Sequence, residues 1–217
     1  MEGLNSVFFF PWVGKNYHKG INGKKILILG ESHICGGCKS QCGDLNIVDD
    51  TCRNHTIDAV QAFLNYKKGE NTSPFSNWMN TYTKFSNVFH NKQLNPEETV
   101  DFWHSILFYS YVQFSTDKAR ISPEGDEFIN SEKAFFEILN HHKPDLVIAW
   151  GNRLWSHLPY TGEYGVLIQT SRINDGKGFY YYIGGDKKIP IFYVYHPSSS
   201  HFNYSSHDLI REAFEQI

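Results

Sequence analysis

The sequence predicts an α/β fold, a three-layer α/β/α sandwich with a central, mostly parallel four-stranded sheet plus a β-hairpin. Two runs, Ile26-Leu27-Ile28-Leu29 and Leu146-Val147-Ile148-Ala149-Trp150, carry no alternating polar residue, which is the pattern of strands buried on both faces. Segments with helical spacing stand between the strand candidates, and such alternation implies a parallel sheet with helices on both sides. Each run stops at a glycine followed by polar residues, Gly30-Glu31-Ser32-His33 and Gly151-Asn152. In open α/β sheets ligands gather outside these carboxyl ends.

At 217 residues the chain is long enough for one well-buried domain spanning 1–217, with 1–23 an N-terminal arm and 34–55 a cysteine-containing loop. Aromatics reach 16%, enough to fill a core and also to offer stacking faces to planar ligands. A formal charge of −3 gives no whole-chain signature of a nucleic-acid binder, although a local basic face remains open. The run Val7-Phe8-Phe9-Phe10-Pro11-Trp12 is too short to span a membrane, with no basic region before it and no small-residue cleavage site behind it. The expectation is a soluble, cytoplasmic monomer.

Taken in order, residues 8–20 mix aromatics with Gly14, Lys15, Asn16 and Tyr17 and lead through the Gly20-Ile21-Asn22-Gly23 turn into the first strand. They read either as a lid over the sheet end or as a packed arm. Residues 56–64 carry apolar side chains at helical spacing, with Thr56 a candidate cap, and 67–75 read as an exposed loop. Asn95-Pro96-Glu97-Glu98 combines an N-cap, a proline at the first helical position and two acids in the first turn, so a helix starts there and runs toward Trp103. A second strand follows at 106–114, then a polar loop through Pro123 to Asp126. Ser131 reads as the cap of a third helix with Ala134, Phe135, Ile138 and Leu139 as its apolar stripe, ended by Lys143-Pro144, with His141 and His142 solvated at its end. The third strand occupies 145–150. Residues 164–170 and 178–183 flank Asn174-Asp175-Gly176 and read as the hairpin. The fourth strand, 189–195, empties into His196-Pro197-Ser198-Ser199-Ser200-His201. Ser205 and Asp208 read as a capping box for a last helix with Ile210, Ala213, Phe214 and Ile217 on one face.

All four cysteines, Cys35, Cys38, Cys42 and Cys52, fall in the loop after the first strand. The leading C-x2-C is a chelating spacing, so a zinc ion or an iron–sulfur cluster is a candidate there, with His55 able to replace one sulfur. Unligated thiols in a polar loop are the other reading, since the full C-x2-C-x3-C-x9-C set fits no standard finger.

Four strand ends thus converge on one rim: Gly30-Glu31-Ser32-His33, Tyr109-Ser110-Tyr111, Trp150-Gly151-Asn152 and His196-Pro197-Ser198. The first of these after a buried strand, a Pro-Asp-hydrophobic-Trp-Gly third strand, and the His-Pro-Ser loop after the fourth resemble, in that order, the uracil-DNA glycosylase superfamily in its family 4 to 5 style. The resemblance covers the chain from the first strand to the His-Pro-Ser loop. It implies a first motif that holds the attacking water, a histidine facing the departing base, and a target base extruded and stacked on an aromatic ring, for which Tyr17, Tyr109 and Phe75 are the candidates. It also implies that Ser198 and Ser199 grip a phosphate or insert beside the strand. Glu31 matches the acid after the glycine in family 4. Ser32 stands where uracil-cleaving members carry Asp or Asn, His33 where proline is usual, and Ser110 where an asparagine reads the uracil edge. The cysteines do not reproduce the family 4 cluster pattern.

Breaking an N-glycosidic bond passes through an oxocarbenium-like sugar, so a site needs a carboxylate on the water side and a donor to the leaving base. Glu31, with Ser32 beside it, is the candidate for the first role and His196 for the second. Gly30, His33, Ser110, Asn152, Pro197, Ser198 and Ser199 are candidate substrate-binding residues. The expected function is a DNA glycosylase-like hydrolase acting on an unusual or damaged base, uracil or related, with DNA or a nucleotide-like ligand as partner and no cofactor needed. A non-catalytic nucleotide or single-stranded nucleic-acid binding module is the alternative, and a metal-dependent hydrolase using the cysteine loop a third. Plainer readings stand beside these: Glu31 as a surface or capping carboxylate, His196 as a hydrogen-bonded loop histidine, Asn152 as the cap of the following helix.

Overall fold

The computed structural model describes residues 3–35, 50–70, 74–116, 118, 121–159, 167–173, 178–183 and 187–217. The first long strand, β2 (Ile26–Gly30), is buried at every position because it has a partner on each side and a core on each face. Following β1 (Trp12–Val13), it pairs in parallel with β4 (Leu107–Ser110) on one side and β6 (Leu146–Trp150) on the other; β6 in turn pairs in parallel with β9 (Lys187–Val194). Side chains alternate across the sheet: Leu27 and Leu29 enter one core cluster, Ile26 and Ile28 the other.

The sheet is mixed and has seven strands, in the order β1-β4-β2-β6-β9-β8-β7, where the sequence reading expected four strands and a separate hairpin. The hairpin strands β7 (Leu167–Ile173) and β8 (Gly178–Ile183) continue the main sheet, because β8 pairs antiparallel with β9. At the other edge, β1 pairs antiparallel with β4. Two short strands, β3 (His33–Ile34) and β5 (Ser115–Thr116), form a second, parallel pair just past the ends of β2 and β4. The expected second strand, 106–114, therefore leaves the main sheet at Ser110 and re-pairs five residues later.

The N-terminal arm is packed and does not form a lid. Phe8 and Phe9 are buried, their backbone N–H groups donate to Gln113 Oε1 at 2.9 and 3.0 Å, and the Trp12 indole donates to the Trp103 carbonyl at 2.8 Å. One face of the sheet is covered by α2 (His55–Lys67), α3 (Met79–Phe89), α4 (Pro96–His104) and α7 (Ser206–Phe214), and the other by α5 (Gly125–His142) and α6 (Asn152–His157); a short α1 (Asp50–Arg53) precedes α2. Among the described residues no helix is long and apolar enough to cross a membrane.

The cap at Asn95 forms as its residues dictate: Asn95 Oδ1 accepts from the Glu98 N–H at 2.8 Å and Glu98 returns the bond to the Asn95 N–H at 2.9 Å, with Pro96 at the first helical position. Three other cap assignments are corrected. Thr56 is buried inside α2, and its hydroxyl is taken by His33. Ser131 lies inside α5, which starts at Gly125 behind a Glu124–Glu127 capping box; its hydroxyl donates to the Glu127 carbonyl and accepts from the Gln113 N–H. Ser205 makes no side-chain cap, and Asp208 faces Arg211 instead; Asn203 Oδ1 accepts from the Ser205 N–H. His142, expected in solvent, is half-buried, with burial and neighbouring His141 and Lys25 pushing its imidazole down to about 4.

Direction reverses at β2. The chain leaves β2 over one face to reach β4, crosses to β6 through α5 on the other face, and leaves β6 through α6 on that same face. The carboxyl ends of β2 and β6 thus flank a topological switch point, the place where open α/β sheets form a crevice.

Candidate functional site

Two adjoining hollows open at this switch point. One, about 470 Å³, is lined by Trp78, Tyr82, Phe108 and Trp150 together with Gly30, His33, His55, Asp58, Thr81 and Ser110. The other, about 480 Å³, is lined by Thr116, Ile121, Gly151, Asn152, Arg153 and Ser198. Glu31, Ser32, Ile34, Trp150 and His196 border both. An acid and an imidazole separated by more than 160 positions in the chain therefore share one opening, as the rim geometry of the sequence implied.

Glu31 is fixed from two directions. Its carbonyl accepts from the Val112 N–H at 2.8 Å, and its carboxylate is gripped by the Arg153 guanidinium, with Nε donating to Oε2 at 2.8 Å and Nη2 to Oε1. The remaining guanidinium nitrogen, Nη1, donates to the Ser122 hydroxyl. Two N–H groups on two oxygens hold a carboxylate in one plane, which a single point charge cannot do. Sequence reasoning missed Arg153; its place in the first turn of α6, directly after the Trp150-Gly151-Asn152 strand end, was the available signal.

His196 is held by its own loop. Nδ1 accepts from the Ser198 backbone N–H at 3.2 Å and lies 2.7 Å from the Ser198 hydroxyl. An acceptor at Nδ1 puts the proton of the neutral ring on Nε2, the nitrogen left for the opening. Burial lowers the imidazole below its usual range, Glu31 opposes that fall, and Arg153 adds to it, so the ring is neutral at pH 7 and offers one N–H. Trp150 stands edge-on to it, centroids 5.9 Å apart. Gly151, at φ +97°, lies beside it, and a Cβ there would be in ordinary van der Waals contact, 3.4 Å, with the Cβ of His196. The loop is closed by the Ser199 N–H donating to the His196 carbonyl at 2.8 Å and by Lys84 Nζ donating to the Ser199 carbonyl at 2.7 Å.

The other sequence candidates divide. Gly30 and Ser110 are paired across β2 and β4 and both line the aromatic hollow; a Cβ on Gly30 would press on the Phe108 ring at 3.1 Å. Ser32 and Ser198 line the opening, and Asn152 does so from the first position of α6 without capping it, the cap position being Gly151. His33 borders the aromatic hollow but is committed to the core: Nε2 lies 2.8 Å from the Thr56 hydroxyl, Phe9 and His55 stand edge-on at 4.6 and 4.7 Å, and burial pushes the ring down to about 3. Pro197 is buried, and neither it nor Ser199 lines either hollow; the Ser199 hydroxyl accepts from the His201 N–H.

None of the three rings proposed for stacking is at the opening. Tyr17 is buried at the far end of the sheet against His142, Tyr109 is buried in the core on the α5 side, and Phe75 is exposed beside Tyr66. The rings there are Trp78, Tyr82, Phe108 and Trp150, with Tyr82 packed on both Phe108 and Trp150. The metal candidates Cys38 and Cys42 lie outside the described residues. Cys35 and Cys52 are half-buried, and among the described residues no three side chains of ligand type come together as a metal site. His55 faces His33 and the aromatic hollow. A roomier hollow, about 640 Å³, between the end of α2 and the start of α4, is bordered by Lys67, Lys68, Glu97 and Asp101 and holds no imidazole or thiol.

No protein-family model matches the chain, and no curated protein is significantly similar to it.

Proposed function

We propose that the chain is a hydrolase of the DNA-glycosylase type, cleaving the N-glycosidic bond of an unusual or damaged base at the opening shared by the two hollows. The observation that carries this reading is that Glu31 and His196, fixed by Arg153 and Ser198 respectively, border the same space. In the reaction the bond from the sugar C1′ to the base nitrogen breaks and its electron pair leaves with the base; a water oxygen bonds to C1′, and the proton that this water loses ends, through solvent, on the departing base. Positive charge develops on the sugar, where the Glu31 carboxylate stabilises it and orients the water. Negative charge develops on the base, where the Nε2–H of neutral His196 donates to a carbonyl oxygen. A flat base has aromatic walls to lie against in Tyr82, Phe108, Trp78 and Trp150.

One observation favours a second reading, a non-catalytic nucleotide or single-stranded nucleic-acid binding module on the same fold: both oxygens of Glu31 are taken by Arg153, which leaves less of the carboxylate for water. Chromatographic detection of free base separates the two. Incubation with uracil, hypoxanthine and xanthine, each in an oligonucleotide and as the free deoxynucleoside, releases base under the first reading. Binding with no base released from any substrate supports the second.

A further inference from the structure

Resting on the reading of this opening as an N-glycoside site, we infer that its substrate is an uncharged nucleoside, free in solution, and not a phosphate-bearing strand. The charges around the opening carry this. Among the described residues lining the two hollows, the charged side chains are Glu31, Asp58 and Arg153, two anions against one cation. The imidazoles add nothing at neutral pH, since burial lowers His33, His55 and His196 alike.

The single cation is also paired. Arg153 directs Nε and Nη2 to Glu31 and Nη1 to Ser122, so three of its five N–H groups already have an oxygen partner inside the protein. A phosphate meeting the other two would lie beside the Glu31 carboxylate, whose charge opposes it. Lys84, which touches the His196 loop, donates to the Ser199 carbonyl and lies over the Phe202 ring, and it lines neither hollow. Proteins that hold a nucleic-acid backbone do the opposite, presenting unpaired Lys and Arg to successive phosphates.

Size and surface agree with a single nucleoside. The aromatic hollow offers flat apolar walls, the adjoining one offers Ser32, Asn152 and Ser198 as neutral hydrogen-bonding groups of the kind that meet sugar hydroxyls, and each is within the usual size of a small-molecule pocket. The bond between base and sugar would lie where the two meet, at Glu31 and His196.

Tryptophan fluorescence of the full chain tests this directly, since Trp78 and Trp150 line the site. Deoxyuridine and deoxyinosine, their 5′-monophosphates, and short oligonucleotides carrying the same bases are titrated at low and high salt. The expected result is nucleoside binding that salt leaves unchanged, with the monophosphate about tenfold or more weaker because of the net negative lining. Tighter binding of the monophosphate or oligonucleotide, weakening steeply as salt rises, overturns the inference, and so does the absence of nucleoside binding. Base released only from oligonucleotides would leave the hydrolase reading standing and remove this one; nucleosides bound but never cleaved would remove the hydrolase reading and with it the nucleoside's role as substrate.

Discussion

Arg153 and Glu31 meet through two parallel N–H to oxygen bonds that join the first turn of α6 to the end of β2 across the switch point of the sheet. The pair fixes the plane of the one carboxylate that, among the described residues, borders both hollows. Its guanidinium is half-exposed, so the contribution to folding is small, about 1 kcal/mol or less. Arg153→Gln is therefore expected to leave the melting temperature nearly unchanged while slowing base release about ten- to a hundredfold through misplacement of Glu31. Arg153→Lys should recover only part of the rate, because an ammonium cannot hold both oxygens in plane. Full activity in Arg153→Gln would mean that the carboxylate does not need this grip.

Gln113 ties the arm to the rim. Its Oε1 accepts from the N–H groups of Phe8 and Phe9, its Nε2 donates to the carbonyls of Ser110 and Tyr111, and its own N–H donates to Ser131. Gln113→Leu strands two buried N–H donors and two carbonyls, and is expected to cost about 2–4 kcal/mol in denaturant unfolding. A loss well under 1 kcal/mol would show that the arm is held by its buried phenylalanines alone.

The glutamine also marks the limit of what the sequence discloses. The parallel strands were legible because Ile26 to Leu29 and Leu146 to Trp150 are apolar without interruption, and the rim followed from their glycine ends. The Asn95 cap was legible because the residue types at successive positions all agree. Ser131 and Ser205 carry the same local signals, yet at Ser131 a distant backbone N–H, that of Gln113, takes the hydroxyl and the helix begins at a pair of glutamates upstream. The stacking rings were misplaced for a related reason. Aromatic residues are spread throughout this chain, and which of them face a cavity is decided by α3, whose apolar positions Met79, Phe85, Val88 and Phe89 are diluted by Asn, Thr and Ser. The place of Arg153 after a strand end was visible, but its pairing with Glu31 was not, because the two lie 122 residues apart.

His33 gives stability a sign with pH. Its folded value is pushed down to about 3 from 6.5 by burial and by neighbouring His55. Between these values the unfolded chain takes up a proton that the folded chain refuses. The stabilisation is thus complete above about pH 6.5 and is lost progressively as pH falls toward 3. His142 acts in the same direction down to about 4. The denaturation midpoint should drop between pH 7 and pH 4, and His33→Gln, which can still meet the Thr56 hydroxyl, should flatten that drop. An unchanged slope in the variant would assign the pH dependence to other groups.

Gly151 has a backbone conformation, φ +97° and ψ 149°, open essentially to glycine, and it lies beside His196. Gly151→Ala is expected to destabilise the fold by about 1–3 kcal/mol through backbone strain, while the added methyl meets the Cβ of His196 at contact distance and leaves nucleoside binding by the folded protein nearly unchanged. Thermal melting followed by fluorescence titration measures both; a variant as stable as the parent chain would contradict the assigned backbone geometry.

The central claim is that a carboxylate and a neutral imidazole act together on one glycosidic bond. Single-turnover release of free base from the best substrate of the panel, compared among the parent chain, Glu31→Gln and His196→Ala, tests it most directly. The account predicts that each substitution slows release by about 10²–10⁴-fold with the fold intact by circular dichroism. Release at the parent rate by either variant would contradict it.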